Sequence, residues 1–307
     1  MSKKIKKAVI LAAGLATRML PAAKAVPKTM LPIADKPAIQ YVVEEAVNSG
    51  ITDILIITGR NTECLENHFD YSPEYENALG NKNDEKSRKT IDIVRNIANL
   101  ANMCYIRQKE PKGIGHAVLC AKSFIGGDDF IVMYGDDVII GDIPATRELI
   151  EVYEKYNGGV CVAAVKEVAK EDLRKYCSLK IKPISSSDSE FYVYDMVEKP
   201  KTDGEIFSNY AILGRVLLTP DIFDILEKQK PGVNDEIQLT DSMKTLVKSA
   251  DENIEGSAKM IAKIFSGERH DMGSKFGFLR ANIIEGVKHH EIGEELREFI
   301  KEFAKTL

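Results

Sequence analysis

The chain has 307 residues, of which 44% are hydrophobic and 29% are charged, as is typical of a folded globular protein. Its 42 basic and 47 acidic residues give a net charge of −5. A chain without a basic excess does not neutralise the phosphates of long nucleic acids, so we expect no nucleic-acid partner. At this length we expect one large domain with a smaller appended part.

The cysteine pattern and the first residues indicate the compartment. Five cysteines are scattered without a Cys-x-x-Cys pair, which indicates free thiols in a reducing compartment rather than disulfides or structural zinc. Cys104, Cys120 and Cys161 lie in apolar runs and are predicted to be core residues. The apolar run at 8–13 ends at Gly14, too soon for a signal peptide. No run approaches the roughly 18 apolar residues of a membrane span. We therefore expect a cytoplasmic protein without a membrane partner.

The first half of the chain alternates short apolar runs with helical stretches. The runs are continuous rather than alternating, as in buried parallel strands. Strands are predicted at 8–12, 53–58, 103–107, 129–134 and 160–165. Helices are predicted at 37–49, 61–101, 115–122 and 144–156, with the charged tract 83–89 as a solvated interruption. This order predicts an α/β fold with a doubly wound, mostly parallel, Rossmann-like sheet. Ligands of such sheets bind at the carboxyl ends of the strands.

The second half has a different pattern. A β-hairpin is predicted at 178–197, around the turn-forming tract 185–189. Further strands at 209–218 and 260–265 and helices at 220–230 and 235–250 follow, and 274–307 predicts a pair of amphipathic helices. We therefore predict an α/β core over 1–170, a mixed β part over 171–273 that completes the same domain, and C-terminal helices over 274–307 as a candidate subunit contact.

The loop after the first predicted strand carries small residues and cations. Small residues such as Gly14 let the backbone approach a ligand, and loop N–H groups can bind phosphate oxygens. The loop matches neither a P-loop nor the dinucleotide Gly-x-Gly-x-x-Gly pattern. Arg18 has a planar, permanent charge suited to a polyphosphate, and Lys28 is a second cation nearby. A tight turn with a surface cation remains the alternative.

Two segments carry carboxylates that could hold a metal. Asp136 follows the fourth predicted strand, a suitable place for Mg²⁺, which prefers one or two carboxylates together with phosphate oxygens. Asp271 follows the strand-like run at 260–265. Taken alone, each aspartate is also compatible with a turn or a helix cap.

A third segment, 107–117, could contact a base. The amide of Gln108 both donates and accepts, so it could bind a base edge, and Gly113 would allow close approach. His116 begins a predicted helix without a Ser or Cys partner, which favours a structural role over a general base. The pair Glu198 and Lys199 follows a strand and, taken alone, is typical of a solvated ion pair.

Together and in order, these segments resemble the sugar-nucleotide pyrophosphorylases of the nucleotidyltransferase type, especially the uridylyltransferase branch. The resemblance covers about residues 5–300, and the strings 115–120 and 235–241 are specific to that branch. The matching segments are 12–14 with 17–18, Lys24, 27–32, 35–43, 66–70, 113–120, 135–137, 197–200, 235–241 and 270–273.

The resemblance implies a reaction in which UTP and glucose 1-phosphate give UDP-glucose and pyrophosphate. It implies Mg²⁺ as cofactor, in-line attack on the α-phosphate without a covalent intermediate, and a homodimer or homotetramer. The region 1–170 would bind the nucleotide and 171–273 the sugar. Such chemistry depends on positioning and charge neutralisation, which suits segments rich in Gly, Arg, Lys and Asp.

The resemblance also implies residue roles. Arg18 would bind the β- and γ-phosphates, Lys28 would neutralise the α-phosphate, and Asp136 with Asp271 would hold Mg²⁺. The other nucleotide contacts would come from Ala12, Ala13, Gly14, Gln108 and Gly113.

On the sugar side, Lys199 would bind the sugar phosphate and count, with Arg18 and Lys28, as catalytic. Glu198 would bind glucose hydroxyls. The other sugar contacts would come from Asp137, Cys177, Asn209 and Gly214, with Asp137 also a neighbour of the metal.

Three positions depart from the family pattern. Ala16 replaces a loop glycine, Thr29 replaces a glutamate that contacts the nucleotide, and Cys177 replaces a glycine near the sugar. These departures leave open an enzyme that uses dTTP or another sugar 1-phosphate. A non-catalytic nucleotide-sugar-binding subunit is a further alternative, although the retained Arg18 and Lys28 argue against it.

Overall fold

The computed structural model describes residues 4–82, 84–232, 235–254 and 257–307. Residues 1–3 of the basic start and Asn83 of the tract 83–89 lie outside the described residues. The strands are β1 (Lys7–Ala12), β2 (Pro32–Ile33), β3 (Lys36–Pro37), β4 (Asp53–Thr58), β5 (Asn102–Arg107), β6 (Phe130–Tyr134), β7 (Asp137–Ile140), β8 (Cys161–Glu167), β9 (Cys177–Ile184), β10 (Ser187–Glu198), β11 (Tyr210–Leu218), β12 (Met260–Ile264) and β13 (Glu268–Asp271). The α-helices are α1 (Ala38–Asn48), α2 (Glu63–His68), α3 (Pro73–Gly80), α4 (Glu85–Ala98), α5 (Ile114–Leu119), α6 (Lys122–Ile125), α7 (Ala145–Lys155), α8 (Asp221–Leu226), α9 (Leu239–Val247), α10 (Lys275–Gly286) and α11 (Gly293–Ala304).

One mixed sheet of nine strands organises the molecule, in the order β5-β4-β1-β6-β11-β8-β12-β10-β9. The pairings place seven of the nine strands in one direction and only β10 and β11 in the other. The predicted α/β fold with a mostly parallel sheet is therefore confirmed. The strands of the second half extend this sheet, and β7 with β13 forms a separate two-stranded ribbon.

Helices cover both faces of the sheet, as the doubly wound prediction requires. On one face α1 and α7 pack through Ile39, Val42 and Leu149. On the other face α5, α8 and α9 pack through residues such as Val118 and Phe223. The central strands are largely apolar because both of their faces are buried. Burying one such large aliphatic or aromatic side chain contributes about 1.5–3 kcal/mol.

Two local expectations need correction. α3 ends at Gly80 and α4 begins at Glu85, so the helical region is interrupted, but most of the tract 83–89 lies in α4 rather than in the interruption. The Asp84 carboxylate accepts a hydrogen bond from the Ser87 backbone N–H at 2.8 Å and caps the helix. Cys104 is exposed rather than buried, because β5 is an edge strand of the sheet.

Two further observations concern the cysteine thiols and the lengths of the helices. Cys161 is buried and Cys120 half-buried, and all five cysteines are free thiols. Among the described residues, no helix combines the length and apolarity needed to cross a membrane.

Candidate functional site

A cavity of about 770 Å³ opens where β1, β5 and β6 end, the edge at which a doubly wound sheet binds ligands. The loops after these three strands form one side. Residues of the segments 175–177, 198–199, 236–240 and 269–274 also line the cavity. The cavity brings together thirteen of the predicted site residues: Ala12, Ala13, Gly14, Arg18, Lys28, Gln108, Gly113, Asp136, Asp137, Cys177, Glu198, Lys199 and Asp271.

The loop after β1 reaches the cavity through a left-handed turn. Ala16 has φ +54° and ψ 33°, and a short 3₁₀ turn over Thr17–Met19 follows it. The buried Met19 side chain anchors this turn while Arg18 stays exposed. The glycine that the family pattern has at position 16 is therefore replaced where the backbone is left-handed. A Cβ in that conformation costs about 1 kcal/mol.

At one end of the cavity lies the amide end, where Gln108 and Gly113 line the cavity and His116 contacts the Gln108 side chain from behind. Gly113 has φ +94°, and a Cβ there would lie 2.8 Å from the Ile237 carbonyl oxygen. The Ile237 backbone N–H donates to the Lys112 carbonyl at 2.8 Å. Backbone contacts with the segment before α9 therefore hold this loop, and no side chain larger than hydrogen fits at Gly113.

The other end, at β6, is the carboxylate end, which consists of Asp136, Asp137 and Asp271; β4 and β1 separate β6 from β5 in the sheet. Gly273 shows how closely its groups approach. A Cβ at Gly273 would lie 2.8 Å from Asp136 Oδ2, 2.9 Å from Asp271 Oδ1 and 3.1 Å from Arg18 Nη2. Two predicted metal ligands and a predicted phosphate ligand therefore surround one backbone position, although more than 130 residues separate the two aspartates in sequence.

Lys28 completes the charge distribution at the carboxylate end. Its Nζ donates a hydrogen bond to the Asp136 carboxylate, and both side chains are largely buried. Gly14 leaves the space beside this ammonium open, since a Cβ at Gly14 would lie 3.9 Å from Lys28 Nζ. The Lys28 ammonium is therefore paired with one of the two carboxylates that approach Gly273.

Asp137 lies below this surface and faces an arginine rather than the solvent. Arg269 Nε donates to Asp137 Oδ1 at 2.8 Å, and Arg269 Nη1 donates to the Tyr176 hydroxyl at 3.1 Å. Burial raises the pKa of Asp137 from 3.8 to about 6, although Arg269 lowers it. Gly214, with φ +73°, packs behind this carboxylate, where a Cβ would lie 2.7 Å from Asp137 Cβ.

The donor set at the carboxylate end is compatible with a hard divalent cation. Asp136 and Asp271 offer carboxylate oxygens, which Mg²⁺ prefers, while phosphate and water oxygens usually complete its shell. No cluster of three or more His, Cys, Asp or Glu residues suited to a metal occurs in 4–82, 84–232, 235–254 or 257–307. The two aspartates fit a cation that is shared with a phosphate ligand better than a closed structural site.

The predicted sugar side has one acidic and one basic wall residue. The Thr240 hydroxyl donates to Glu198 Oε2 at 2.8 Å. Lys199 has φ +46°, and its N–H donates to the Tyr176 carbonyl at 2.9 Å. Cys177 is opposite Glu198 in the β9–β10 pairing, and burial raises the pKa of its thiol. The departure at 177 therefore puts a neutral side chain on the cavity wall.

Three positions from the sequence analysis do not line the cavity. Asn209 is exposed, and its carbonyl accepts the Val168 N–H at 2.9 Å. Gly214 lies behind Asp137. Thr29 is 1% exposed, and its hydroxyl has no hydrogen-bond partner among the described residues. The sugar roles of Asn209 and Gly214 and the nucleotide role of position 29 stay predictions.

A buried ion pair beneath the carboxylate end was not predicted. Arg215 is fully buried, and its Nη2 donates to Glu45 Oε2 at 2.7 Å. The same guanidinium donates to the backbone carbonyls of Asp137 and Gly214, each at 2.9 Å. The sequence signal that could have indicated this pair is the single arginine within the apolar run Tyr210–Leu218.

Comparisons with known proteins identify the family of the chain. The profile of the nucleotidyl transferase family matches residues 7–282. The chain belongs to the nucleotidyl transferase family. The fold and the resemblance stated from the sequence are thereby confirmed.

The similarity to individual members of the family extends over nearly the whole chain. A UTP–glucose-1-phosphate uridylyltransferase of Staphylococcus epidermidis is 46% identical over 300 residues, which cover 98% of this chain and 99% of that protein. The Bacillus subtilis protein of the same name is 44% identical and covers 97% of each. A UDP-glucose pyrophosphorylase solved with UDP-glucose is 41% identical, with a TM-score of 0.79 over 93% of this chain and all of that one. A UTP-bound UGPase of Acinetobacter baumannii is 33% identical, with a TM-score of 0.82 over 97% and 99%.

Proposed function

We propose that this nucleotidyl transferase transfers the uridylyl group of UTP to glucose 1-phosphate, giving UDP-glucose and pyrophosphate. One observation carries the proposal. A single cavity combines a small-residue loop, the cations Arg18 and Lys28 and two carboxylates at one end with an amide at the other. The lining therefore offers groups that could bind a base and groups that could bind a triphosphate. Relatives at 44–46% identity carry the name of this activity.

In the proposed reaction a phosphate oxygen of the sugar phosphate attacks the α-phosphorus of UTP. The new P–O bond forms as the bond to the β-phosphate oxygen breaks, and pyrophosphate leaves. The attacking oxygen is already anionic, so no base has to remove a proton. Holding the two substrates in line can supply about 7 kcal/mol or more of the barrier reduction.

The cations would act on charge that moves during this step. Lys28 would neutralise the α-phosphate, and Arg18 would bind the β- and γ-phosphates and stabilise the departing pyrophosphate. Both lie at the carboxylate end, within the same cavity wall as Asp136. Fixed charges that are already in place need no reorganisation when the transition state forms. The backbone of Ala12, Ala13 and Gly14 would support the nucleotide, as would Gln108 and Gly113.

Asp136 and Asp271 would hold a divalent cation, for which we propose Mg²⁺. When bound there, the cation neutralises negative charge on the phosphate oxygens. Asp137 would act less directly, because its carboxylate is bonded to Arg269. We propose that it positions the neighbouring Asp136 and the sugar-facing wall.

The sugar side follows from the remaining wall residues. Lys199 would bind the sugar phosphate, and Glu198, held by Thr240, would accept hydrogen bonds from glucose hydroxyls. Cys177 would set the space beside the sugar. With these roles, 1–170 would form the nucleotide-binding core and 171–273 the sugar-binding part, joined in one sheet.

The C-terminal helices are our candidate for a subunit contact. On α10, Phe276, Leu279 and Ile283 are more than half exposed at a spacing that places them on one face. On α11, the exposed rings of Phe299 and Phe303 stack at 5.9 Å. We propose that these faces pair in a homodimer or homotetramer, and that the protein acts in the cytoplasm.

The test is pyrophosphate release from UTP and glucose 1-phosphate, with Mg²⁺ and with a chelator. Parallel reactions use dTTP in place of UTP and galactose 1-phosphate in place of glucose 1-phosphate. We expect release that requires Mg²⁺, UTP and glucose 1-phosphate together. Faster release with another pair would assign the specificity to that pair. Ala16, Thr29 and Cys177 would then be the first positions to change to the residues of the family pattern. Folded protein that binds UDP-glucose but releases nothing with any pair would be a non-catalytic binding subunit.

A further inference from the structure

Gln108 is held from behind by two groups. It follows β5, where its backbone N–H donates to the Thr58 carbonyl at 2.9 Å, and its side chain lines the cavity. Its side-chain Nε2 lies 3.1 Å from the Gly113 carbonyl oxygen and 2.9 Å from His116 Nδ1. His116 itself does not line the cavity in the part of the chain that the structure describes.

The partners of Nε2 determine where the protons are. A backbone carbonyl only accepts, so the Gln108 atom beside the Gly113 oxygen has to be the amide nitrogen. That nitrogen carries two hydrogens, of which the second points to His116 Nδ1. His116 Nδ1 must therefore be an acceptor, and the imidazole is neutral with its proton on Nε2.

The other amide atom of Gln108 has no such restraint. Gln108 Oε1 receives no hydrogen bond from the described residues and is not among their buried, unpartnered polar atoms. With both hydrogens of the nitrogen engaged, Oε1 is the only group that this side chain can offer to a ligand. The amide end thus presents an acceptor and no donor from Gln108.

We infer that His116 is a positioning residue that selects the base by fixing the amide of Gln108. The inference rests on the proposed function and deepens it. Uracil carries an N–H donor at N3, which matches a fixed acceptor. Cytosine has a lone pair at N3, so the same acceptor would face another acceptor. Thymine shares the N3–H of uracil, so this device rejects CTP and leaves the choice between UTP and dTTP to other contacts.

The surroundings of His116 keep the ring in the required state. Burial, assisted by the positive charge of Lys112, lowers the pKa of His116, while Glu110 raises it slightly. A protonated ring would turn Nδ1 into a donor and break the bond from Gln108. Gly113 contributes by geometry, because its left-handed φ of +94° sets the carbonyl that the same amide needs. His116 is thus not required as a general base.

The kinetic test compares two substitutions that differ in one acceptor. His116→Leu removes Nδ1 at similar volume, whereas His116→Asn keeps an oxygen that can accept near the same place. We measure kcat/KM for UTP, CTP and dTTP at saturating glucose 1-phosphate. The ratio of UTP to CTP should fall about five- to tenfold in H116L, the worth of one hydrogen bond, and stay within about twofold in H116N.

Two ratios serve as internal controls. The KM for glucose 1-phosphate and the ratio of UTP to dTTP should not change in either variant, because neither depends on the Gln108 orientation. A merely structural role would change the KM values of all substrates together. An unchanged ratio of UTP to CTP in folded H116L, or an H116N that behaves like H116L, would overturn the inference.

A second measurement needs no turnover. Two-bond ¹⁵N–¹H correlation spectra distinguish the two neutral imidazole tautomers, and the chain has only five histidines, so the signal missing from H116N assigns His116. We expect the Nε2–H tautomer, and the Nδ1–H tautomer would refute the inference. Calorimetry of UTP and CTP binding to the same variants separates the two proposals. A binding preference lost in H116L would support the inference even if no substrate pair reacted.

Discussion

The two ends of the cavity are built from different interactions. The amide end is held by neutral hydrogen bonds and backbone contacts, as in the bonds from Gln108 to Gly113 and His116. The carboxylate end is held by ion pairs, such as those from Lys28 to Asp136 and from Arg269 to Asp137. Neutral hydrogen bonds discriminate donors from acceptors, whereas fixed charges neutralise phosphate. The amide end is therefore suited to recognising the base, and the carboxylate end is suited to neutralising phosphate charge.

The support beneath the two ends differs in the same way. The loop of the amide end rests on the backbone of Ile237. Behind the carboxylate end lies the buried pair of Arg215 and Glu45, and Glu45 Oε1 also accepts from the Thr146 hydroxyl at 2.7 Å. Breaking a buried pair leaves a charge in a medium that cannot solvate it. We therefore expect a substitution in the support of the carboxylate end to lower the free energy of unfolding more than one in the support of the amide end.

The largest effect is expected for Arg215→Met. The substitution leaves the Glu45 carboxylate buried without its cation and frees the carbonyls of Asp137 and Gly214. We expect the free energy of unfolding to fall by about 3–5 kcal/mol, measured by urea denaturation. Arg280→Met is the matched control, because its pair with Glu268 is half-exposed. That change should cost at most about 1 kcal/mol, and equal losses in the two variants would contradict the comparison.

Lys28→Ala should separate chemistry from binding at the carboxylate end. Removing a charge that acts on the transition state should lower kcat by about 10²–10³-fold, with a much smaller change in the Kd of UDP-glucose. The ratio of UTP to CTP should stay unchanged, because the amide end is intact. Lys36→Ala is the control, since Lys36 pairs with Glu44 at 2.6 Å outside the cavity. Parallel losses of kcat and affinity in K28A would argue against a transition-state role.

The smallest effect concerns pH. The pKa of Asp137 is raised by burial from 3.8 to about 6, so the folded protein binds this proton more tightly than the unfolded chain does. Between pH 4 and 6 this group therefore makes the free energy of unfolding fall as the pH rises, by about 2–3 kcal/mol in total. Asp137→Asn should remove that slope, measured by urea denaturation from pH 4 to 6.

Asp84→Asn is the control for this profile. Hydrogen bonds from Ser87 lower the pKa of Asp84, so its contribution is lost only below the window, as the pH falls through the lowered pKa. The slope between pH 4 and 6 should match that of the unsubstituted protein. An unchanged slope in D137N would show that burial does not raise the pKa of Asp137 in the folded protein.

The elements with continuous apolar patterns were predictable because the pattern reflects local burial. The run at 53–58 became a central strand, and the small-residue loop after β1 reached the cavity because parallel strands share a carboxyl edge. The extent of the interruption at 83–89 was misjudged, since charge alone does not prevent a helix from beginning at Glu85 when Asp84 caps it. Cys104 was misjudged because an apolar run does not reveal whether its strand lies at the sheet edge.

Within the site, motif residues were predictable and their supports were not. Gln108, Lys28 and Asp136 lie in recognisable strings, and the cavity contains all three. Arg269 precedes the matching segment 270–273 and was given no role, and its ion pair with Asp137 depends on the pairing of β7 with β13. Asn209 precedes β11, is exposed and does not line the cavity, so its role at the sugar stays a prediction.

The sequence by itself determined the alternation of strands and helices, the family, and the residue types available to bind phosphate, metal and base. These properties depend on local apolar patterns and short motifs. The tertiary structure alone decided which of those groups face one another. Glu45 and Arg215 are 170 positions apart, and the Gln108 amide is oriented by a carbonyl and an imidazole at particular distances. Such contacts depend on burial and on hydrogen-bond geometry, which exist only after the chain has folded.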